Sequence, residues 1–134
     1  MEQLKLERTL REWSVPGGVL RCNPADPNLY GRFLEGSEKL KALEQELTRK
    51  GENAQPEEIL ALMQAADTGI KEILKEIFGG ENDFHKALGG ISLLAVGSNG
   101  KTVAQNLMEA LSGVLEDGAK ALVDQRLQQA REDL

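Results

Sequence analysis

The chain reads as a mainly α-helical domain of four or so helices with a small N-terminal β-hairpin. Three observations carry this. Three segments repeat apolar residues at the 3.6-residue period of a helix. One Pro-Gly-Gly turn near the start separates two short strand-like runs. The 134 residues suit one domain with a modest core. The expected division is a single domain over 1–134, with a hairpin segment at 1–25, a helical core at 26–124 and a polar extension at 125–134.

The hairpin comes first. Trp13-Ser-Val15 and Val19-Leu-Arg-Cys22 flank Pro16-Gly17-Gly18, where a fixed φ is followed by permissive ones. Leu4 and Leu6 alternate with charges and suggest a third strand. Two strands alone are marginal and must lie on helices or on a partner.

Asp26-Pro27 then switches the chain to helix, Asp26 as N-cap and Pro27 at the first helical position. The helix expected from about Pro27 to Lys50 carries Leu29, Phe33, Leu40, Leu43 and Leu47 on one stripe. Gly31 and Gly36 each weaken it by about 1 kcal/mol, so the early part is expected to bend or to pack separately. Pro56-Glu57-Glu58 opens the next helix, with acids at its positive end. Ile59, Met63, Ala66, Ile70, Ile73 and Ile77 step by four and three, and Leu60, Leu62, Leu74 and Phe78 widen the stripe. Gly79-Gly80 ends it.

Asn82 is the expected cap of a short helix from Asp83 to Leu88, closed by Gly89-Gly90. Ile91–Val96 fits a buried strand or a buried helical turn, and its helical neighbours favour helix. The last helix is expected from about Lys101, with Val103, Leu107, Leu111, Val114, Leu115 and Leu122 facing inward. Beyond Asp124 the sequence is polar and is expected to project as free helix or to fray.

Composition narrows function. Charged residues make up 28% and apolar ones 40%, an ordinary globular composition. Aromatics are 4%, so Leu, Ile, Val and Ala carry the packing. The net charge of −6 and the lack of a basic block disfavour nucleic acid and anionic membrane surfaces as partners. No apolar run approaches the ~20 residues that span a bilayer, and the first residues lack the apolar core of a signal peptide. Cys22 is the only cysteine, which fits a reducing cytoplasm.

One stretch suggests chemistry. Ala95-x-x-x-x-Gly100-Lys101-Thr102 follows an apolar run and precedes Val103-Ala-Gln-Asn-Leu-Met-Glu-Ala-Leu111, the order of a phosphate-binding loop with Ala replacing the first Gly. In such a loop backbone N–H groups cradle phosphate, Lys reaches the terminal phosphates and Thr ligates magnesium. Gly100, Lys101 and Thr102 are therefore the nucleotide-site residues of an alternative reading. Against it, the loop belongs at the end of a strand in a parallel sheet, and no second buried-strand run precedes Ile91. The acidic magnesium ligand would be Asp117 or Asp124, and both fall within helical periodicity. The competing reading is a corner between elements, with Ser98, Asn99 or Gly100 ending one and capping the next.

His85 is the only histidine; no nucleophile or metal-ligand set accompanies it, and it reads as a surface or interface residue. Cys22 reads as a structural thiol. Carboxylates interleave with lysines along the helices, as in Glu72 with Lys75 and Glu76 with Lys71, the pattern of a solvated face. No catalytic residue, metal ligand or cofactor is therefore expected. Amphipathic helices and a hairpin edge suit a binding or assembly module.

The layout resembles a known family. A short β element feeds Asp26-Pro-Asn-Leu-Tyr-Gly-Arg-Phe-Leu-Glu35 and a long helix. A second helix ends in Ile73-Leu-Lys-Glu-Ile-Phe78-Gly79, and a short helix and turn lead to Gly100-Lys-Thr-Val-Ala-Gln-Asn-Leu-Met-Glu-Ala-Leu111. Over roughly residues 15 to 115 this is similar to small tail-assembly chaperones of tailed phages and prophages of Gram-positive bacteria. The resemblance implies a non-enzymatic protein of the bacterial host cytoplasm that holds the tape-measure protein and recruits tail-tube subunits. A helical regulatory adaptor is the remaining alternative. Apolar residues in excess of one narrow stripe, on the Ile59–Phe78 helix and the last helix, lead us to expect a homo-oligomer.

Overall fold

The computed structural model describes residues 2–4, 10–15, 17–79, 82–88 and 90–132. Among these the order is β1 (Arg11–Val15), β2 (Gly18–Cys22), α1 (Pro27–Gly51), α2 (Pro56–Phe78), α3 (Phe84–Ala87) and α4 (Val103–Glu132). The fold is mainly helical with an antiparallel two-stranded hairpin, as the periodicities predict.

The hairpin pairs Arg11 with Cys22 and Val15 with Gly18. The strand period of two sends Leu20 and Cys22 into the core and Arg21 outward. A third strand is not formed at Leu4, which is 91% exposed; Leu6 lies outside the described residues, as do Pro16, Gly80 and Gly89. The two strands are tied down instead. Gly17 N–H donates to Ala87 O at 2.7 Å, and the Asn82 side chain pairs with Arg21.

Asp26 caps α1 as expected, its Oδ1 accepting from Asn28 N at 2.9 Å, with Pro27 opening the helix. Leu29, Phe33, Gly36 and Leu40 form its buried face against α2. α1 is unbroken through Gly31 and Gly36. Gly36 sits where Ile77 crosses, and a Cβ there would stand 2.6 Å from Ile77 Cγ1. The glycine that costs α1 some propensity thus permits the close approach of the two helices.

α2 buries Ala66, Ile70, Leu74 and Ile77. Its end is closed by Gly79 at φ 80, whose N–H bonds Lys75 O, and by Arg32 Nε donating to Ile77 O at 2.9 Å. The lysine–glutamate partners differ from those expected within α2. Glu76 pairs with Lys39 of α1, and Lys71 pairs with Asp67 one turn back. Tertiary proximity decides the Lys39–Glu76 pair, while Lys71 takes an i,i+4 partner, the half-buried Asp67.

Two expectations need correction beyond α2. Asp83, not Asn82, caps the short helix, accepting from Lys86 N. Ile91–Val96 is not helical. It forms turns and a single bridge, Val96 with Thr102. Its Leu93 is fully buried, and the Leu93 N–H donates to Asp67 Oδ1 at 2.7 Å. A side-chain acceptor from α2 replaces the backbone partner that a further helical turn would supply.

α4 packs its first half only. Ala104, Leu111 and Leu115 are buried, and Gly118 lies so close to the Pro24 carbonyl that a Cβ would collide with it. Ala104, Gln105 and Met108 stand beside Ser37, Leu40, Lys41 and Glu44. α4 therefore runs back along α1, from its middle toward its start. The expected polar extension is formed as helix, continuous to Glu132 and exposed. The core joins Leu20, Cys22, Leu29, Phe33, Leu40, Ile70, Leu74, Ile77, Phe84, Leu93, Leu111 and Leu115. Full burial of residues such as Ile70, Leu74 and Leu115 stabilises by about 1.5–3 kcal/mol each.

Candidate functional site: a capped corner and two exposed apolar helix ends

The Ala95–Thr102 segment is a corner that starts α4. Gly100 adopts φ 79 and donates to Gly97 O at 3.0 Å, and Gly97 N–H donates to Lys101 O at 2.8 Å. Thr102 and Gln105 form a capping box. Gln105 N–H donates to Thr102 Oγ1 at 3.1 Å, and Gln105 Oε1 accepts from Thr102 N at 2.9 Å. Val103 N–H donates to Ala95 O and Ala104 N–H to Leu93 O, both at 2.9 Å.

These bonds bear on phosphate binding. A phosphate site needs a row of backbone amides aimed at solvent. Here the amides of Gly97, Gly100, Lys101, Thr102, Val103, Ala104 and Gln105 all donate within the protein. Lys101 Nζ is held by Glu109 Oε1 at 2.7 Å, and the Thr102 hydroxyl caps its own helix. Asp117 lies fifteen residues from Thr102 along the same helix, about 22 Å away, and Asp124 farther still. Neither can share a magnesium ion with Thr102. The sheet is antiparallel and excludes Ile91–Val96. What this corner does is start a helix.

His85 is exposed, with Lys71 Nζ 3.4 Å from its Nδ1. Cys22 is buried, and burial pushes its thiol pKa up while Arg11 pulls the other way more weakly. Among the described residues no group of three His, Cys, Asp or Glu is placed to hold a metal. No described helix is long and apolar enough to cross a membrane.

Two helix ends carry exposed apolar side chains at helical spacing; others, among them Leu34, Ile91 and Val96, stand elsewhere on the surface. At the start of α2, Ile59 is 38%, Leu60 59% and Met63 40% exposed. At the end of α4, Val123 is 57% and Leu127 53% exposed, with Leu122 half-buried. The sequence stripes included Ile59, Met63 and Leu122 as inward residues. Periodicity gave their face correctly, but the tertiary cover stops short of them.

No family model, curated protein or solved structure matches this chain.

Proposed function

We propose that this chain is a non-enzymatic interaction protein of the phage tail-assembly chaperone type, holding a tape-measure-like helical client and recruiting tail-tube subunits in the bacterial host cytoplasm. The observation that carries the reading is the pair of exposed apolar helix ends, Ile59–Leu60–Met63 and Val123–Leu127. Apolar surface grouped on amphipathic helices is what a helical client recognises. Met63 adds an unbranched, adaptable contact suited to a partner of repetitive sequence. Self-association through the same surfaces would cover them until a client competes.

The nucleotide reading through Gly100, Lys101 and Thr102 is less favoured, because the amides of Gly97 and of Gly100 to Gln105 donate within the protein, and Lys101 Nζ and the Thr102 hydroxyl are engaged as well. The test is to read the gene neighbourhood for tail-tube and tape-measure genes and to co-express the chain with a long helical protein encoded there. A soluble complex of the two, where the client alone precipitates, is the expected result. A neighbourhood without tail-tube and tape-measure genes, or a client that stays insoluble, counts against the proposal.

A further inference from the structure

We propose that copies of this chain associate head to tail, the last turns of α4 of one copy lying on the exposed start of α2 in the next. This rests on the interaction reading above and adds which surfaces meet.

α4 outruns its own packing. Leu115 is its last buried residue, and from Lys120 to Glu132 every residue except Leu122 is exposed. That leaves roughly 20 Å of helix without intramolecular support. These turns continue a helix already nucleated by its packed first half and gain only the small stability of propagation, and Gly118 stands at their root. Their apolar residues are ordered nonetheless: Ala119, Leu122, Val123, Leu127 and Ala130 fall on one face by helical spacing. Such a stripe is built for a partner.

α2 begins before its packing does. Leu60, Met63 and Asp67 share a face, at steps of three and four. Asp67 receives the Leu93 amide, so the 91–96 segment covers that face at Asp67. Met63 and Leu60, one and two turns farther out, are exposed.

Charge selects between the pairings. On or beside the α4 stripe stand Lys120, Arg126 and Arg131, against Asp124; Glu132 falls on the opposite face. From Gly51 to Ile70 the chain has no Lys or Arg, while Glu52, Glu57, Glu58 and Asp67 are acidic. Of these, Asp67 is paired with Lys71, Glu52 precedes α2 and Glu58 falls on the face opposite Leu60, so the acid beside the patch is Glu57, one turn from Leu60 and in none of the described ion pairs. A stripe with basic flanks meeting an acidic apolar patch is complementary. Pairing α2 with α2 would set acid on acid, and pairing α4 with α4 would leave the α2 patch uncovered.

One copy cannot satisfy itself. α4 leaves the body at Pro24, beside the start of α1, while α2 starts just after the end of α1. The 25 residues of α1 separate the two surfaces by more than 30 Å. The contact is heterologous, so it propagates into an open chain or closes as a ring.

Sedimentation velocity over a micromolar concentration series tests this. The wild type should grow in mass with concentration, less so in high salt. Leu127→Glu removes the stripe and Leu60→Glu removes the patch; both sites are exposed, and circular dichroism checks that each variant is folded. Each alone should be monomeric. Their equimolar mixture should form a dimer and stop there, since one intact stripe meets one intact patch. A wild type that stays monomeric at high micromolar concentration overturns the proposal, as does a mixture that stays monomeric. A monomeric chain that still solubilises its client would overturn head-to-tail assembly alone. An oligomer that fails to hold a client would overturn the chaperone reading alone.

Discussion

The Asn82 side chain pairs with both backbone polar groups of Arg21, accepting from its N–H at 2.7 Å and donating to its C=O at 2.8 Å. Both groups point away from β1, so Asn82 takes the place of one residue of a third strand. It is the buried polar residue of the described core, 5% exposed. Through it the hairpin is fastened to the chain between α2 and α3. Asn82→Ala should destabilise by about 2–3 kcal/mol, because it strands an amide and a carbonyl at the rim of the core. Asn82→Asp should be no better, since it replaces the donor with an acceptor facing the Arg21 carbonyl. Urea denaturation measures both, and a change under about 0.5 kcal/mol for Asn82→Ala would refute the fastening role.

Glycines in the helices should respond to alanine with opposite signs. Gly118→Ala drives a Cβ into the Pro24 backbone, and Gly36→Ala drives one into Ile77. Each should cost about 1–3 kcal/mol. Ile77→Val should recover part of the Gly36→Ala loss in a double-mutant cycle, because a side chain can be trimmed. Gly113 faces open space, so Gly113→Ala should stabilise by up to about 1 kcal/mol. Thermal melts of the single variants decide the order.

Thr102→Ala should cost about 1 kcal/mol through loss of the capping box. Lys101→Ala should stay within about 0.5 kcal/mol, since its pair with Glu109 is solvent-exposed. Titration calorimetry with Mg-ATP and Mg-GTP should give no binding heat in either background. Micromolar binding abolished by Lys101→Ala would restore the nucleotide reading.

Burial raises the Cys22 pKa, so the folded state favours the neutral thiol. That contribution is fully present below the ordinary thiol pKa of about 8.5 and is lost as pH rises through the raised folded value. Iodoacetamide at neutral pH should therefore modify the folded chain much more slowly than the urea-unfolded chain. Equal rates would show that the thiol is open to solvent.

The legible parts of this fold were local. Asp26-Pro27, Pro56, the turn at Gly17-Gly18 and the stripes of α1 and α2 each act within a few residues, so sequence spacing displays them. The rest depends on distant partners. Ile91–Val96 is too short for its periodicity to separate helix from turn, and what decides it is Asp67 receiving the Leu93 amide. Asn82 reads as a cap because Asn often caps, while its partner lies 61 residues away. Gly36 and Gly118 read as weak points of helices until the crossing chains are seen. At the site, the Thr102-x-x-Gln105 spacing was the available sign that the threonine serves a helix start.

The central claim is that this protein works through apolar helix ends and not through the chemistry of its Gly100-Lys101-Thr102 corner. Co-purification of the tape-measure-like client with variants tests it most directly. Lys101→Ala should retain the client at wild-type yield, and the Leu60→Glu, Leu127→Glu double variant, still folded by circular dichroism, should lose it. Loss of the client in Lys101→Ala together with full retention in the double variant would contradict the account.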